Sequence, residues 1–305
     1  MRSLSLEAGG PIHVAEWGQG EPALVLVHGL AGSHLNWMAV APRLAEWGRV
    51  LAPDLPGFGL SPLAGRSSSL AAERTVLHRV LRLLTPSPVI LVGNSMGGLL
   101  ALAEAGLHPE RVAGLVLVDP AVPVPWRERP QRLVTAAFAA YTVRPLGRRL
   151  VQRYLDRNRV EGIVDGAFGL CTAHPERIPA EVRQAHIDLE RVRESRRPEN
   201  DRAFVEAGGS IVINNLRPGA FNHLLDRVVA PTLVIHGERD ALVRVGAARA
   251  LARRRPDWEV TILQDAGHLP MLEAPERFLC VIETWLRRHA VELRLTRLES
   301  GRAAS

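Results

Sequence analysis

From residue 23 onward, short runs of β-branched and aliphatic residues alternate with longer stretches of helical periodicity. Ala23–Val27, Val50–Ala52, Val89–Val92, Ala113–Val118, Pro231–His236 and Glu259–Leu263 each read as a short strand. Ser69–Leu84, Ala247–Arg255 and about Pro275–His289 read as helices between or after them. This alternation predicts an α/β protein, a mostly parallel central sheet flanked by helices. It stops after Asp119-Pro120. Residues 121–217 contain no convincing strand, since Ile211-Val-Ile213 is too short to judge. They read as arginine-rich helices such as Gly147–Arg157 and Pro179–Arg196, broken by Pro and Gly. The simplest organisation is a core of residues 1–120 and 218–289 interrupted by a helical insert at 121–217. The charged tail, 290–305, has no partner strand and is expected to fray.

Composition narrows the class. A chain of 305 residues can bury a sizeable core, and 47% hydrophobic with 23% charged residues is ordinary for a globular protein. The net charge of +6 suggests nucleic acid at first sight, but all 38 basic residues are arginines and many alternate with acids. Glu190-Arg191-x-Arg193-Glu194 is one such stretch, the pattern of a solvated helix face, and no nucleic-acid motif accompanies it. Cys171 and Cys280 are too few for a disulfide framework or a zinc site and read as two buried thiols in a reducing compartment. No signal peptide is evident. The apolar patch from Leu133 to Val143 is far short of the roughly 20 residues a membrane span needs. A soluble, cytoplasmic protein is expected.

Candidate chemistry concentrates in Pro88-Val-Ile-Leu-Val-Gly-Asn-Ser-Met-Gly-Gly-Leu99. A buried strand runs into a helix through Gly93-x-Ser95-x-Gly97, the glycine-flanked serine of a nucleophile elbow. Bulky residues at 93 or 97 would collide with the neighbouring strand and helix. Serine also makes a good helix N-cap, but that does not explain glycines on both sides of it. A free hydroxyl is a poor nucleophile, so Ser95 needs a base, an orienting acid and an oxyanion hole.

Four elements in order resemble the α/β-hydrolase-fold serine hydrolases, esterase- or lipase-like with a helical cap. They are His28-Gly29, Asp54-x-Pro56-Gly57-x-Gly59-x-Ser61, the Ser95 elbow, and Gly237-x-x-Asp240 with Gly267-His268. All fall at predicted strand ends, where α/β sheets gather ligand-binding groups. The resemblance covers essentially residues 10–289. It implies Ser95 as nucleophile, His268 as general base and Asp240 as the acid that orients it. Among 11 histidines, His268 lies in the loop after the last predicted strand and follows Ser95 and Asp240 in the order this fold uses. His28 reads as a structural hydrogen-bonder and His236 as a satisfied core histidine. Asp119, at the end of the strand after the elbow helix, is the reserve acid, and Glu238 stands two residues early for the pattern. The oxyanion hole implied by the resemblance uses the backbone N–H groups of Leu30 and Met96.

An insert at 121–217 would cap the nucleophile and choose the substrate. Phe138, Tyr141 and Phe168 could line an acyl pocket or simply pack the cap. Hydrolysis of a carboxylic ester, with a small-molecule ester or acyl substrate, is the function expected. A carbon–carbon bond hydrolase of the meta-cleavage-product type is the alternative, because Gly-Asn-Ser-Met-Gly-Gly resembles its elbow. However, Leu30-Ala-Gly-Ser-His lacks that group's glycine-rich loop, and Leu269 stands where it carries tryptophan. A hydrolase-fold binding protein with little turnover, and a lyase or cofactor-free oxygenase, are further readings. Epoxide hydrolases and haloalkane dehalogenases use an aspartate at the elbow. No metal or organic cofactor is implied, since no His/Cys cluster has ligand spacing and no dinucleotide turn follows a strand.

Overall fold

Apolar runs without polar alternation need cover on both faces, and the strands find it inside one eight-stranded sheet. In the computed structural model, which describes residues 1–21, 23–123 and 139–295, the strands are β1 (Arg2–Glu7), β2 (Pro11–Trp17), β3 (Leu24–Val27), β4 (Val50–Pro53), β5 (Val89–Asn94), β6 (Val112–Val118), β7 (Thr232–Gly237) and β8 (Glu259–Leu263). Their order across the sheet is β1-β2-β4-β3-β5-β6-β7-β8. From β4 to β8 all neighbours are parallel, whereas β1 pairs with β2 and β2 with β4 antiparallel. The hairpin β1–β2 is an addition to the sequence reading. Its signal was there in Leu4 and Leu6 alternating with serines, and in Gly9-Gly10, which both take positive φ at the turn.

Helices occupy the segments between strands. They are α1 (Ala41–Leu44), α2 (Leu70–Leu84), α3 (Met96–Leu107), α4 (Arg144–Arg157), α5 (Val160–Cys171), α6 (Ala180–Arg193), α7 (Arg197–Asn215), α8 (Pro218–Arg227), α9 (Gly246–Arg254), α10 (Pro270–Glu273) and α11 (Pro275–Arg288). The ambiguous Ile211-Val-Ile213 belongs to α7. Successive strand residues point to opposite faces, so the core splits in two. Val25, Val27, Leu91, Leu115 and Leu117 pack with Leu77 and Leu81 of α2 and Leu99 of α3. Leu24, Leu26, Ile90, Val92 and Val116 pack on the other side with Trp37, Phe278 and Trp285. The insert between β6 and β7 reaches both cores, through Ala203, Ala207 and Ile211 to the first and through Val164, Phe168 and Val182 to the second.

Some details depart from expectation. Cys280 is exposed, because it faces outward on α11 while Leu279 and Ile282 face the core. Cys171 is partly exposed as a residue, yet its thiol is enclosed, and burial pushes its pKa up to about 12. The tail does not leave the body at once: Leu293 is buried, near Gly114 and in the same core as Trp285. No helix among the described residues is long and apolar enough to cross a membrane. Most of the Leu133–Val143 patch lies outside the described residues, as does Phe138.

Candidate active site

Ser95 joins β5 to α3 with φ 55° and ψ −116°, a conformation that L residues rarely adopt. Three backbone hydrogen bonds hold it there. Its N–H donates to Val118 O at 2.9 Å, and its carbonyl accepts from Leu99 N at 3.1 Å and Ala121 N at 3.0 Å. Strain of this kind persists only where the surroundings over-determine it. The flanking glycines are required sterically. A Cβ on Gly93 would collide with the Gly97 carbonyl, and one on Gly97 would collide with the Val27 and His28 carbonyls. The Ser95 side chain makes no capping hydrogen bond to α3, so helix capping does not account for the residue.

His268 lies in the loop after β8, and Asp240 in the loop after β7. The His268 Nδ1 and Asp240 Oδ2 are 2.6 Å apart. A carboxylate oxygen can only accept, so Nδ1 carries a proton and Nε2 is the ring nitrogen left for other partners. Asp240 Oδ1 accepts from the N–H groups of Leu242 at 2.8 Å and Val243 at 2.9 Å. Burial opposes charge on Asp240, but the adjacent His268 and the donated hydrogen bonds hold its carboxyl below the usual range. The His268 backbone is fixed from two directions. Its N–H donates to Cys171 O at 2.7 Å, and its carbonyl accepts from Asn94 Nδ2 at 3.1 Å. Because Asn94 precedes Ser95, this last bond ties the histidine loop to the elbow.

The remaining sequence candidates separate cleanly. Asp119, at the end of β6, is fully buried with φ 45°, and its Oδ1 accepts from Gly237 N–H at 2.8 Å. It makes no hydrogen bond to His268, which pairs with Asp240 instead. Glu238 is exposed on the far side of that loop. His28 donates from Nδ1 to Gly29 O at 2.7 Å and accepts Leu55 N–H on Nε2 at 2.9 Å, a structural bonding pattern. His236 is buried and donates from Nε2 to Val243 O at 2.8 Å, but its Nδ1 has no partner among the described residues. Burial keeps both imidazoles below their ordinary pKa.

Leu30 and Met96 approach Ser95 through glycine and through the chain itself. A Cβ on Gly29 would stand 3.0 Å from the Ser95 Cβ. The N–H groups of Leu30 and Met96 have no protein acceptor among the described residues. Both are backbone donors beside the serine. Above Leu30 lies α7, where a Cβ on Gly208 would stand 2.9 Å from Tyr141 Cδ2 and 3.5 Å from Leu30 Cδ2. Phe168, in contrast, is buried edge-on against His186, with ring centroids 5.1 Å apart, and packs within the insert.

Sequence reasoning missed two supporting residues. Asn94 is one. Glu273 is the other, a buried carboxylate that accepts Gly267 N–H and His174 N–H, both at 2.7 Å. It joins the histidine loop to the turn between α5 and α6 of the insert. The Asp54 motif also takes a structural role. Asp54 accepts from His34 N at 2.7 Å, Leu60 N at 2.8 Å and His13 Nδ1 at 2.9 Å. Burial opposes its charge, yet the bonds from His13 and His34 hold its carboxyl well below the usual range. A third polar knot, in which His78 Nδ1 and Glu104 Oε1 are 2.8 Å apart, joins α2 to α3 away from the elbow.

Comparison with known proteins bears on the fold and the family. The alpha/beta hydrolase fold family matches residues 22–275. The chain is 31% identical over 278 residues to the pimeloyl-[acyl-carrier protein] methyl ester esterase of Aromatoleum aromaticum, covering 87% of this chain and 98% of that one. It is 29% identical over 279 residues to the dihydrolipoyllysine-residue acetyltransferase component of the acetoin cleaving system of Pseudomonas putida. That match takes in 89% of this chain but only 65% of the longer relative. Among solved structures, a thermophilic esterase from Thermogutta terrifontis superposes with a TM-score of 0.67 at 25% identity, covering 94% of this chain and 99% of that one. With its eight-stranded sheet, its strained serine between β5 and α3 and a family match across most of its length, this chain belongs to the α/β-hydrolase family.

Proposed function

We propose that this protein is a serine hydrolase that cleaves carboxylic esters through an acyl-enzyme on Ser95. The observation that carries this reading is the 2.6 Å contact between His268 Nδ1 and Asp240 Oδ2, in a loop that Asn94 ties to the elbow. It turns Nδ1 toward the carboxylate and leaves Nε2 as the ring nitrogen available to act as base. In the acylation step the Ser95 Oγ attacks the ester carbonyl while His268 Nε2 takes the hydroxyl proton. The tetrahedral oxyanion is met by the N–H groups of Leu30 and Met96, and loss of one such donor costs about 3 kcal/mol of transition-state stabilisation. His268 then returns the proton to the departing alcohol. Water repeats the sequence on the acyl-enzyme, releasing the acid and regenerating Ser95. Asp240 balances the imidazolium formed in each half and holds its tautomer. The named esterases among the relatives support a small-molecule ester as substrate.

A short-chain p-nitrophenyl ester tests the reading. The wild type should release p-nitrophenol in a burst followed by steady turnover, and Ser95→Ala should abolish both, a loss of about 10³-fold or more. Equal slow release by the two proteins would overturn it and leave a ligand-binding role. Turnover confined to a carbon–carbon substrate would overturn the ester assignment alone.

A further inference from the structure

We propose that Asp119 works as a neutral carboxylic acid that donates its proton to the Asp240 carboxylate and so positions the acid of the site. The inference rests on reading Asp240 as the group that orients His268, and it begins from an imbalance between two neighbouring carboxyls. One atom each from Asp119, Asp240 and His268 lies within 4.8 Å of the others, and all three side chains are buried. Asp240 has donors on both oxygens: Leu242 and Val243 on Oδ1, His268 on Oδ2. Asp119 has one donor, Gly237 N–H on Oδ1, and its Oδ2 has none among the described residues.

A buried carboxylate needs donors on its oxygens, and two carboxylates this close resist being charged together. The carboxyl with three donors therefore keeps the charge, and the carboxyl with one keeps the proton. No other group nearby changes this division. His236 Nε2 is 3.6 Å from Asp119 Oδ1 and 3.7 Å from Asp240 Oδ2, but that nitrogen is committed to Val243 O, and burial favours the neutral ring. Glu273 is a third acid facing the group and adds repulsion. Burial first, and then the Asp240 charge, raise the Asp119 carboxyl well above its ordinary range.

A proton on Asp119 has a consequence for catalysis. Shared with Asp240, it spreads the Asp240 charge and lowers that group's appetite for the His268 proton. The proton thus stays on Nδ1 while Nε2 does the chemistry. The backbone at Asp119, strained at φ 45°, aims the carboxyl across the sheet from β6 toward the β7 loop.

Asparagine separates a neutral acid from an ionised one, because its amide can donate to Asp240 and accept from Gly237 without charge. Asp119→Ala should lower kcat about tenfold, the scale of one hydrogen bond to a charged group, with KM little changed. It should also move the acid limb of the kcat/KM profile to higher pH, because an unshared Asp240 charge makes His268 more basic. Asp119→Asn should recover most of that loss. An asparagine variant as impaired as the alanine variant, or an alanine variant with wild-type kinetics, would overturn the proposal. A second measurement needs neither a variant nor turnover. With carbon-13 in the aspartate carboxyls of the wild type, a resonance at the protonated position should persist at neutral pH. If every aspartate is ionised there the proposal fails, whatever substrate the enzyme proves to use.

Discussion

The Asn94 amide bridges two backbone carbonyls next to Ser95: its Nδ2 donates to the His268 carbonyl at 3.1 Å and to the Val118 carbonyl at 3.2 Å. One side chain thereby ties β5, the end of β6 and the histidine loop together directly beside Ser95. Asn94→Ala should reduce kcat by about 10- to 100-fold, the effect of a misplaced catalytic group. It should also cost about 1–3 kcal/mol of stability from two buried carbonyls losing a donor. Steady-state kinetics and urea denaturation of the purified variant check both numbers.

Glycines in this chain differ sharply in what they tolerate. Gly97→Ala places a methyl group against the carbonyls of Val27, the last residue of β3, and of His28 next to it, backbone that has no room to yield. A destabilisation of about 3 kcal/mol or more is expected, with little soluble protein at growth temperature. Gly169, exposed within α5, has nothing within 4 Å of an added Cβ. Gly169→Ala should raise stability by about 0.5–1 kcal/mol, because alanine suits a helix interior better. Paired urea melts read both outcomes.

Glu273 carries two backbone N–H groups that no other residue satisfies among the described residues. Glu273→Ala should cost about 3 kcal/mol in denaturation experiments, one charged acceptor lost to two donors. Its kcat should fall as well, since Gly267 immediately precedes His268. Glu273→Gln keeps one accepting oxygen and should fall between the two. Hydrogen exchange at Gly267 and His174 should accelerate together in the alanine variant.

Acid should weaken the fold through its buried histidines. Burial holds His28, His186 and His236 below their ordinary value of 6.5, so these stay neutral in the native protein. The unfolded chain takes up protons that the folded one refuses once pH drops below about 6.5. Their contribution is therefore complete above that pH and is lost progressively below it, toward the depressed native values. His174 has the opposite sign, raised by its hydrogen bond to Asp265, but both side chains are partly exposed, so solvent screens the pair. The urea midpoint should fall between about pH 7.5 and about pH 5.5, and His186→Phe should flatten that slope.

Much of the core was legible because strands β3 to β7 are runs of buried residues covered on both faces, and such runs stand out against arginine-rich helices. Val89–Val92 and the glycines around Ser95 needed no partner to be recognised, since the constraint is local steric crowding. Asp240 and His268 could be placed by loop position, and their contact spans only 28 residues. Other features depend on distant partners. Asn94 meets His268 across 174 residues and Glu273 meets His174 across 99, and no periodicity in the chain encodes such bonds. The β1–β2 hairpin was missed for another reason. Its alternation runs over only six and seven residues, one strand of which stands at the sheet edge with polar residues on its outer face.

The carbonyl of Cys171, the last residue of α5, accepts the His268 amide proton at 2.7 Å. Roof and engine share a bolt. Anyone exchanging this insert for that of a related protein would also be re-seating the imidazole. Transplants that carry the 171–174 join intact should keep their speed, while those cut inside it should arrive slow before selectivity is even at issue.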